Sequence, residues 1–378
     1  MNNANPRVLL VSQRKLRPTV CRTSQNEYED TIVQMDDVHM VAPSAVPSNL
    51  GDPSTLGGKI ADKLGFTFGR IPKPQPVPLN DSYDLLFVTV QHPTNLDILD
   101  GCPGWREKCR KSICYLEELY PVELQYEKML RPMKQFDYVV TNCFVTAQLM
   151  RENHGINAVY GALAVDAIRF CPIPKNPRRS IDFLSVGRRS QKTHGALLDM
   201  ARSGDFYYVY DTYSPKTVGS PSEHREMFAA RSIRSRYFLA NKPQVDNPAK
   251  TAGHEDVGMR FYEAIATGAV MVGEPPLKAV KWQEHFPYED ACIRLPWDST
   301  DVAPFLRELD AQPLRLDRAR HANVMNSLTN HDWAHRWRQV LELAGLPERP
   351  ALHERFERLA ALATDTHRFL SPRGRVAA

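Results

Sequence analysis

The sequence predicts an α/β protein of two domains, each built on a parallel sheet, followed by a helical tail. Three observations predict it. Apolar runs that read as strands alternate with helical stretches, the pattern of parallel βα units. The alternation halts at residues 171–179 (CPIPKNPRR), where three prolines fall within six residues, and then restarts. At roughly 100–200 residues per domain, 378 residues suit two domains, with a third possible in length. The domains are therefore read as 1–172 and 173–345, with a tail of 346–378.

In the first half, residues 7–12 (RVLLVS) form the opening strand, and a second apolar run covers 31–35. Residues 83–90 (YDLLFVTV) are nearly continuous apolar, as in a strand buried on both faces, and 136–141 (FDYVVT) have the same character. Between these two runs, 105 to about 130 reads as a helix broken at Pro121. Seven prolines between Pro43 and Pro78 mark an excursion, with a short helix expected near 56–64.

The second half predicts strands at 181–186, 206–210, 237–240, 269–272 and 291–295. Helices are expected at 193–202, 222–230 and 258–267, the last ended by Gly268 at the C′ position. Two more follow, near 302–310 and 316–343. The tail helix, 350–370, carries Leu352, Phe356, Leu359, Leu362 and Ala363 at helical spacing. No internal repeat is visible.

Composition excludes several classes. With 42% hydrophobic and 24% charged residues, the chain is neither disordered nor collagen-like nor a coiled coil. No window of about 18 apolar residues predicts a membrane span. Residues 1–10 (MNNANPRVLL) lack the basic flank and apolar core of a secretory signal. Seven cysteines, an odd number, read as reduced thiols, so a cytoplasmic location is expected. Cys102, Cys109 and Cys114 are clustered, but their gaps match no common zinc spacing, so no metal is expected there. A net charge of +4 does not by itself demand a polyanionic partner.

The chemistry concentrates in residues 253–273 (GHEDVGMRFYEAIATGAVMVG), where seven residues separate Glu255 from Glu263. Glu255 falls in the loop before the helix, and Glu263 on its second turn. Gly258 opens the helix, where backbone amides favour a phosphate. This segment would hold a nucleoside diphosphate on the amides of Gly258, Met259 and Arg260, with Glu263 on the ribose. Glu255 would face what the distal phosphate carries. The plainer alternative is an amphipathic helix with two solvated glutamates.

The spacing resembles the E-x7-E signature of glycosyltransferases of the two-domain GT-B architecture. Residues 185–194 (SVGRRSQKTH) resemble the segment that opens the nucleotide-sugar domain of that group, and 164–172 (AVDAIRFCP) resemble its interdomain linker. Residues 331–337 (HDWAHRW) resemble a helix near the end of its second domain. The order of these features over about 181–346 is similar to the spore-protein-like branch of the family. The resemblance implies two Rossmann-like domains facing a cleft. It also implies transfer of a sugar from a nucleoside-diphosphate sugar, a UDP-sugar first among them, with no separate cofactor. Retention of configuration is favoured, although the signature does not settle stereochemistry.

By the same resemblance, Gly187 and Arg189 help to bind the donor, while Arg188 and Lys192 neutralise the departing diphosphate. Asp166 is read as a turn or capping residue, and Trp333 and Trp337 as packing. His92, which follows the strand 83–90, matches the acceptor-side catalytic or orienting residue, with His39 as a rival. Glu117 or Glu118 is a further cleft candidate, although on a helix such charges are usually solvated. The basic residues Arg14, Lys15 and Arg17 after the first strand suggest an anionic acceptor or a contact with donor phosphates, and modified nucleic acid is a candidate acceptor. No D-x-D sits at a strand end, so metal-independent chemistry is expected. Two rival functions remain open at this point: a sugar-nucleotide epimerase on the same fold, and a non-catalytic nucleotide-sugar or nucleic-acid binder. No phosphate-binding loop, metalloprotease or serine-hydrolase motif is present.

Overall fold

A computed structural model describes residues 6–45, 73–211 and 219–370. The helix expected near 56–64 lies outside them. In the first domain come β1 (Val8–Val11), α1 (Thr23–Met35), β2 (Val38–Val41), β3 (Tyr83–Val90), α2 (Trp105–Lys108) and β4 (Cys109–Leu116). They are followed by α3 (Glu127–Leu130), β5 (Tyr138–Thr141), α4 (Phe144–His154), β6 (Ala158–Tyr160) and α5 (Ala167–Phe170). The six strands form one parallel sheet in the order β2-β1-β3-β4-β5-β6.

The second domain holds β7 (Ile181–Ser185), α6 (Gln191–Arg202), β8 (Tyr208–Tyr210), α7 (Pro221–Ile233) and β9 (Ser235–Leu239). Next are α8 (Met259–Ala266), β10 (Val270–Gly273), α9 (Trp282–His285), β11 (Ile293–Arg294), α10 (Val302–Asp310) and α11 (Pro313–Asn330). Its parallel sheet has the order β11-β10-β9-β7-β8. Helices α12 (Trp333–Ala344) and α13 (Pro350–Leu370) are the last elements among the described residues.

Two expectations for the first domain are corrected. The run 31–35 is the last part of α1, and the strand beside β1 is β2. Tyr28 and Ile32, wholly buried with Met35 nearly so, supply a helical stripe facing the sheet. The stretch 105–130 is not a broken helix, because 109–116 is a central strand between β3 and β5. Its latter half, Ile113 to Leu116, is buried on both faces, whereas Arg110 and Lys111 at its start reach outward and hide the strand pattern. In the second domain, the helix expected at 316–343 is two helices. Asp332 takes an extended backbone and accepts from the Ala334 amide at 2.9 Å, which caps α12 and separates it from α11.

After α11 the chain returns to the first domain, because α12 packs on α1 and β4. Trp333 stacks on Tyr28 at 4.4 Å between ring centroids, and Trp337 lies edge-on to Phe87. Both indoles are wholly buried, and their N–H groups donate to Glu27 and Asp36. They are packing residues, as the sequence suggests. Asp166 likewise caps α5, accepting from the Arg169 amide. All seven cysteines are free thiols. Among the described residues, no helix is long and apolar enough to cross a membrane.

Both sheets reverse their direction of growth once: β1 and β3 flank the reversal in the first, β7 and β9 in the second. In open parallel sheets, ligands bind outside the carboxyl ends of strands at such a point. The two points face one another across the domain boundary.

Candidate functional site

A cleft of about 650 Å³ opens between the domains. Gln91 follows β3 on its first wall, with Glu117 and Glu118 after β4 and Asn142 after β5. Val186, Gly187 and Arg188 follow β7 on the second wall, with Asn241 and Lys242 after β9. The amino end of α8 enters from the same side through Gly258, Met259, Arg260 and Glu263.

Gly258 is the N-cap of α8, and no side chain caps the helix. The free amides of its first turn, together with the helix dipole, make an anion site beside the carboxyl end of β7. Arg260 folds back against that end: its Nε donates to the Val186 carbonyl at 3.3 Å. Gly187 has φ of +87°, and a Cβ there would stand 3.7 Å from the Arg260 guanidinium. That distance is an ordinary contact, so it is the left-handed backbone rather than lack of space that favours glycine here. Arg188 reaches over the opposite rim to Asp246 at 2.8 Å and Gln244 at 3.0 Å. Gly187, Arg188, Gly258, Met259, Arg260 and Glu263 thus line one cleft.

Four predicted site residues stand elsewhere. Arg189 does not line the cleft; it braces the loop by bonding Asp211 at 2.6 Å and its carbonyl at 2.9 Å. Lys192 is turned away because Ser190 caps α6, so the first turn of that helix presents it to the outside. There it lines a separate groove of about 580 Å³ with Thr300 and Ala303, and its ammonium is 3.5 Å from Asp298. Glu255 is drawn back by Lys242 at 2.6 Å and by the Lys278 amide at 3.0 Å, and it is the next residue, Asp256, that lines the cleft. His92 caps the 3-10 helix Pro93–Gly101, with Nδ1 2.8 Å from the Thr94 hydroxyl and Nε2 3.3 Å from Glu123. Its rival His39 sits on β2 against the Tyr83 hydroxyl at 2.5 Å.

Glu263 is wholly buried. Arg225 of α7 donates to its Oε1 at 2.5 Å, and Arg260 donates to its Oε2. Burial opposes its charge, but Arg260 and Arg225 outweigh burial and hold the carboxyl below its usual range. Arg225 continues to Glu27 of the first domain at 2.7 and 3.2 Å. Glu27 also accepts from Arg169, the Trp333 indole and the Asp166 amide. A chain of charges therefore runs from the core of the first domain to the amino end of α8. Arg225 carries no sequence motif, and only the fold reveals it.

The first wall is polar and largely uncharged in character. Glu117 lies at a strand end, not on a helix, and burial raises its carboxyl to about 8, helped by Glu118. Asp256, raised to about 6 by burial, accepts from the Phe144 amide at 3.2 Å and so touches α4 across the cleft. Its position beside Glu255 conceals it in the sequence. The basic residues after β1 do not line the cleft. Arg14 is held by Glu29 at 2.9 Å and Asp30 at 2.8 Å, and Arg17 by Asp97 at 2.5 Å. Among the described residues, no group of three or more His, Cys, Asp or Glu is placed to hold a metal ion.

Residues 191–342 match a family model described as glycosyl transferase-like. Sequence comparison with curated proteins gives no significant match. Two solved structures share the overall fold. One is sucrose-phosphate synthase from Thermosynechococcus elongatus, with a TM-score of 0.52 and 11% identity over 89% of this chain and 97% of that one. The other is the trehalose-6-phosphate synthase OtsA, with a TM-score of 0.56 and 9% identity over 91% of this chain and 100% of that one. The architecture is accordingly GT-B: two Rossmann-like domains that face a cleft, with a C-terminal helix.

Proposed function

We propose that this protein is a glycosyltransferase that takes a sugar from a nucleoside-diphosphate sugar and passes it to an acceptor held by the first domain. The observation that carries the reading is the uncapped amino end of α8, which opens into the cleft at the strand-order reversal of the second sheet with Arg188 and Arg260 beside it. The glycosyl transferase-like match over 191–342 covers α8 and the segment after β9, though not Val186 to Arg188, and supports the same reading.

The donor diphosphate lies on the amides of Gly258, Met259 and Arg260, where the helix dipole complements its charge. Arg188 and Arg260 stabilise charge that develops on the diphosphate as it leaves, in place of a metal ion. Glu263, buried between Arg225 and Arg260, acts by setting the position of Arg260 beside the diphosphate; contact with the ribose would require its carboxylate to shift out of that pairing. A UDP-sugar heads the candidate donors. Closure of the domains excludes water and limits hydrolysis of the donor.

A thermal-shift panel of UDP-, GDP-, ADP- and dTDP-sugars tests this reading. A ligand at a hundred times its Kd stabilises by about 2.7 kcal/mol, so one base should stand clear of the others. Failure of every nucleotide sugar to shift the transition contradicts the assignment. Incubation with the stabilising donor alone then separates transfer from epimerisation, because an epimerase converts the sugar without an acceptor.

A further inference from the structure

Two side chains on the first wall have unused hydrogen-bonding capacity. Glu117 is 9% exposed and Asn142 8% exposed, yet both line the cleft. Glu117 Oε1 and Asn142 Oδ1 are buried oxygens with no hydrogen-bond partner. A buried polar atom left in this state costs about 1–3 kcal/mol, and such atoms are few in folded proteins.

The fold explains why they stand together. Leu116 of β4 pairs with Thr141 of β5, so Glu117 and Asn142 are the next residues on adjacent parallel strands. The Glu117 amide still bonds the Val90 carbonyl at 3.1 Å, which fixes the height at which its side chain leaves the sheet. Cys143, following Asn142, points its thiol at the Glu117 carbonyl. Sheet geometry, not a mobile loop, sets the pair.

We propose that Glu117 and Asn142 form the acceptor subsite, and that they select a polyhydroxylated acceptor carrying no negative charge. This rests on the transferase reading above. Asn142 Oδ1 accepts from one hydroxyl of the acceptor, and Glu117 bonds a neighbouring one. Near neutral pH, Glu117 retains its proton because burial and Glu118 disfavour its charge, so it can both donate and accept. Arg22, before α1, pulls the other way, as does Arg225 on α7, whereas Glu263 on α8 adds to the repulsion.

The charge of the surroundings sets the acceptor class. Gln91, Glu118 and Tyr120 lie on this wall with the uncharged Thr19, Thr23 and Ser24, and Asp256 faces it. The cleft-lining cations Arg188, Arg225, Lys242 and Arg260 belong to the second wall, and all are paired: Arg188 with Asp246, Arg225 with Glu27 and Glu263, Lys242 with Glu255, and Arg260 with Glu263. An anionic group set between Asn142 Oδ1 and Glu118 would find oxygens where it needs donors, with the Glu117 O–H the exception. A neutral sugar or an amino sugar would find acceptors for its O–H and N–H groups.

The test uses one ring in three charge states: glucose, glucosamine and glucose 6-phosphate. Each is titrated calorimetrically into the full chain, first alone and then with whichever of UDP, GDP, ADP or dTDP binds best. The expected result is binding of glucose and glucosamine, with glucose 6-phosphate weaker than glucose. Glu117→Gln and Asn142→Ala should each weaken the neutral sugar roughly ten-fold, the loss of about one hydrogen bond. Nucleotide affinity should remain unchanged in both variants, which shows that they are folded and that the subsites are separate. Glucose 6-phosphate binding as well as glucose overturns the proposal. So does sugar affinity indifferent to both substitutions, or failure of all three sugars to bind. If no nucleotide binds the unaltered protein, the transferase reading itself falls; if nucleotide binds but the sugars behave in any of these contrary ways, only the subsite falls.

Discussion

Glu117 and Glu263 are both buried carboxyls lining one cleft, and their neighbours drive them in opposite directions. Glu263 faces two guanidiniums and stays charged. Glu117 faces Glu118 and an apolar strand end, and burial raises it from 4.5 to about 8. Between those two values the folded chain holds a proton on Glu117 that the unfolded chain has released, so this group contributes less stability as pH rises. Glu117→Gln abolishes that dependence. Its stability relative to the unaltered protein should therefore grow from pH 5 to pH 8, by at most about 1.4 kcal/mol per pH unit, in parallel urea titrations. A difference that does not change with pH would show that Glu117 is ionised throughout. Glu263→Gln is the opposite case. It leaves Arg260 without its carboxylate partner, whereas Arg225 keeps Glu27, so the loss should be about 3 kcal/mol in the same assay. A loss below about 1 kcal/mol would mean that the guanidiniums find other partners. From the sequence Glu263 has only a ligand role, because nothing in the spacing from Glu255 announces Arg225.

At the scale of elements, the second domain is legible in the sequence and much of the first is not. Strands β7 to β10 and helices α6 to α8 appear within a few residues of their expected bounds, because short apolar runs alternate there with amphipathic helices. Strand β4 escapes because charged residues occupy its first half and Glu117 and Glu118 follow its end, a pattern that imitates a helix. Reading that stretch as helix leaves Glu117 and Glu118 as alternative cleft candidates and hides the strand end that buries Glu117. Lys192 stands away from its expected position for a related reason. A residue at the right sequence distance from a strand is still aimed by its local cap, and Ser190 aims Lys192 outward. The close packing of β9 and β10 can be tested directly. Gly273 ends β10 with φ of +145°, and a Cβ there would lie 2.0 Å from the Ala240 carbonyl oxygen. Gly273→Ala should cost more than about 3 kcal/mol or abolish soluble expression, since both the backbone conformation and the space forbid it. A melting temperature equal to that of the unaltered protein would refute this packing.

Across the whole molecule, the seam between domains is built from buried charge and returning helices. Arg355 of α13 bonds Asp332 at 2.7 Å through Nε and again through Nη2, and reaches Asp166 at 2.8 Å. It thereby fixes the caps of α12 and α5, one at each crossing between domains. Arg355→Ala leaves buried Asp332 without a cation and Asp166 with only Arg169, at 3.7 Å, and should cost about 3–5 kcal/mol in chemical denaturation. An unchanged midpoint would make the tail an accessory. With the seam fixed in this way, Glu27, Arg225, Glu263 and Arg260 connect the core of the first domain to the donor wall of the second. The proposed transfer depends on that wall holding a nucleoside diphosphate. Amide hydrogen exchange with and without the best-binding nucleotide measures this most directly. It should show protection confined to 186–188 and 258–261, at the end of β7 and the start of α8. Protection that instead appears around Lys192 and Thr300, or nowhere, would contradict it.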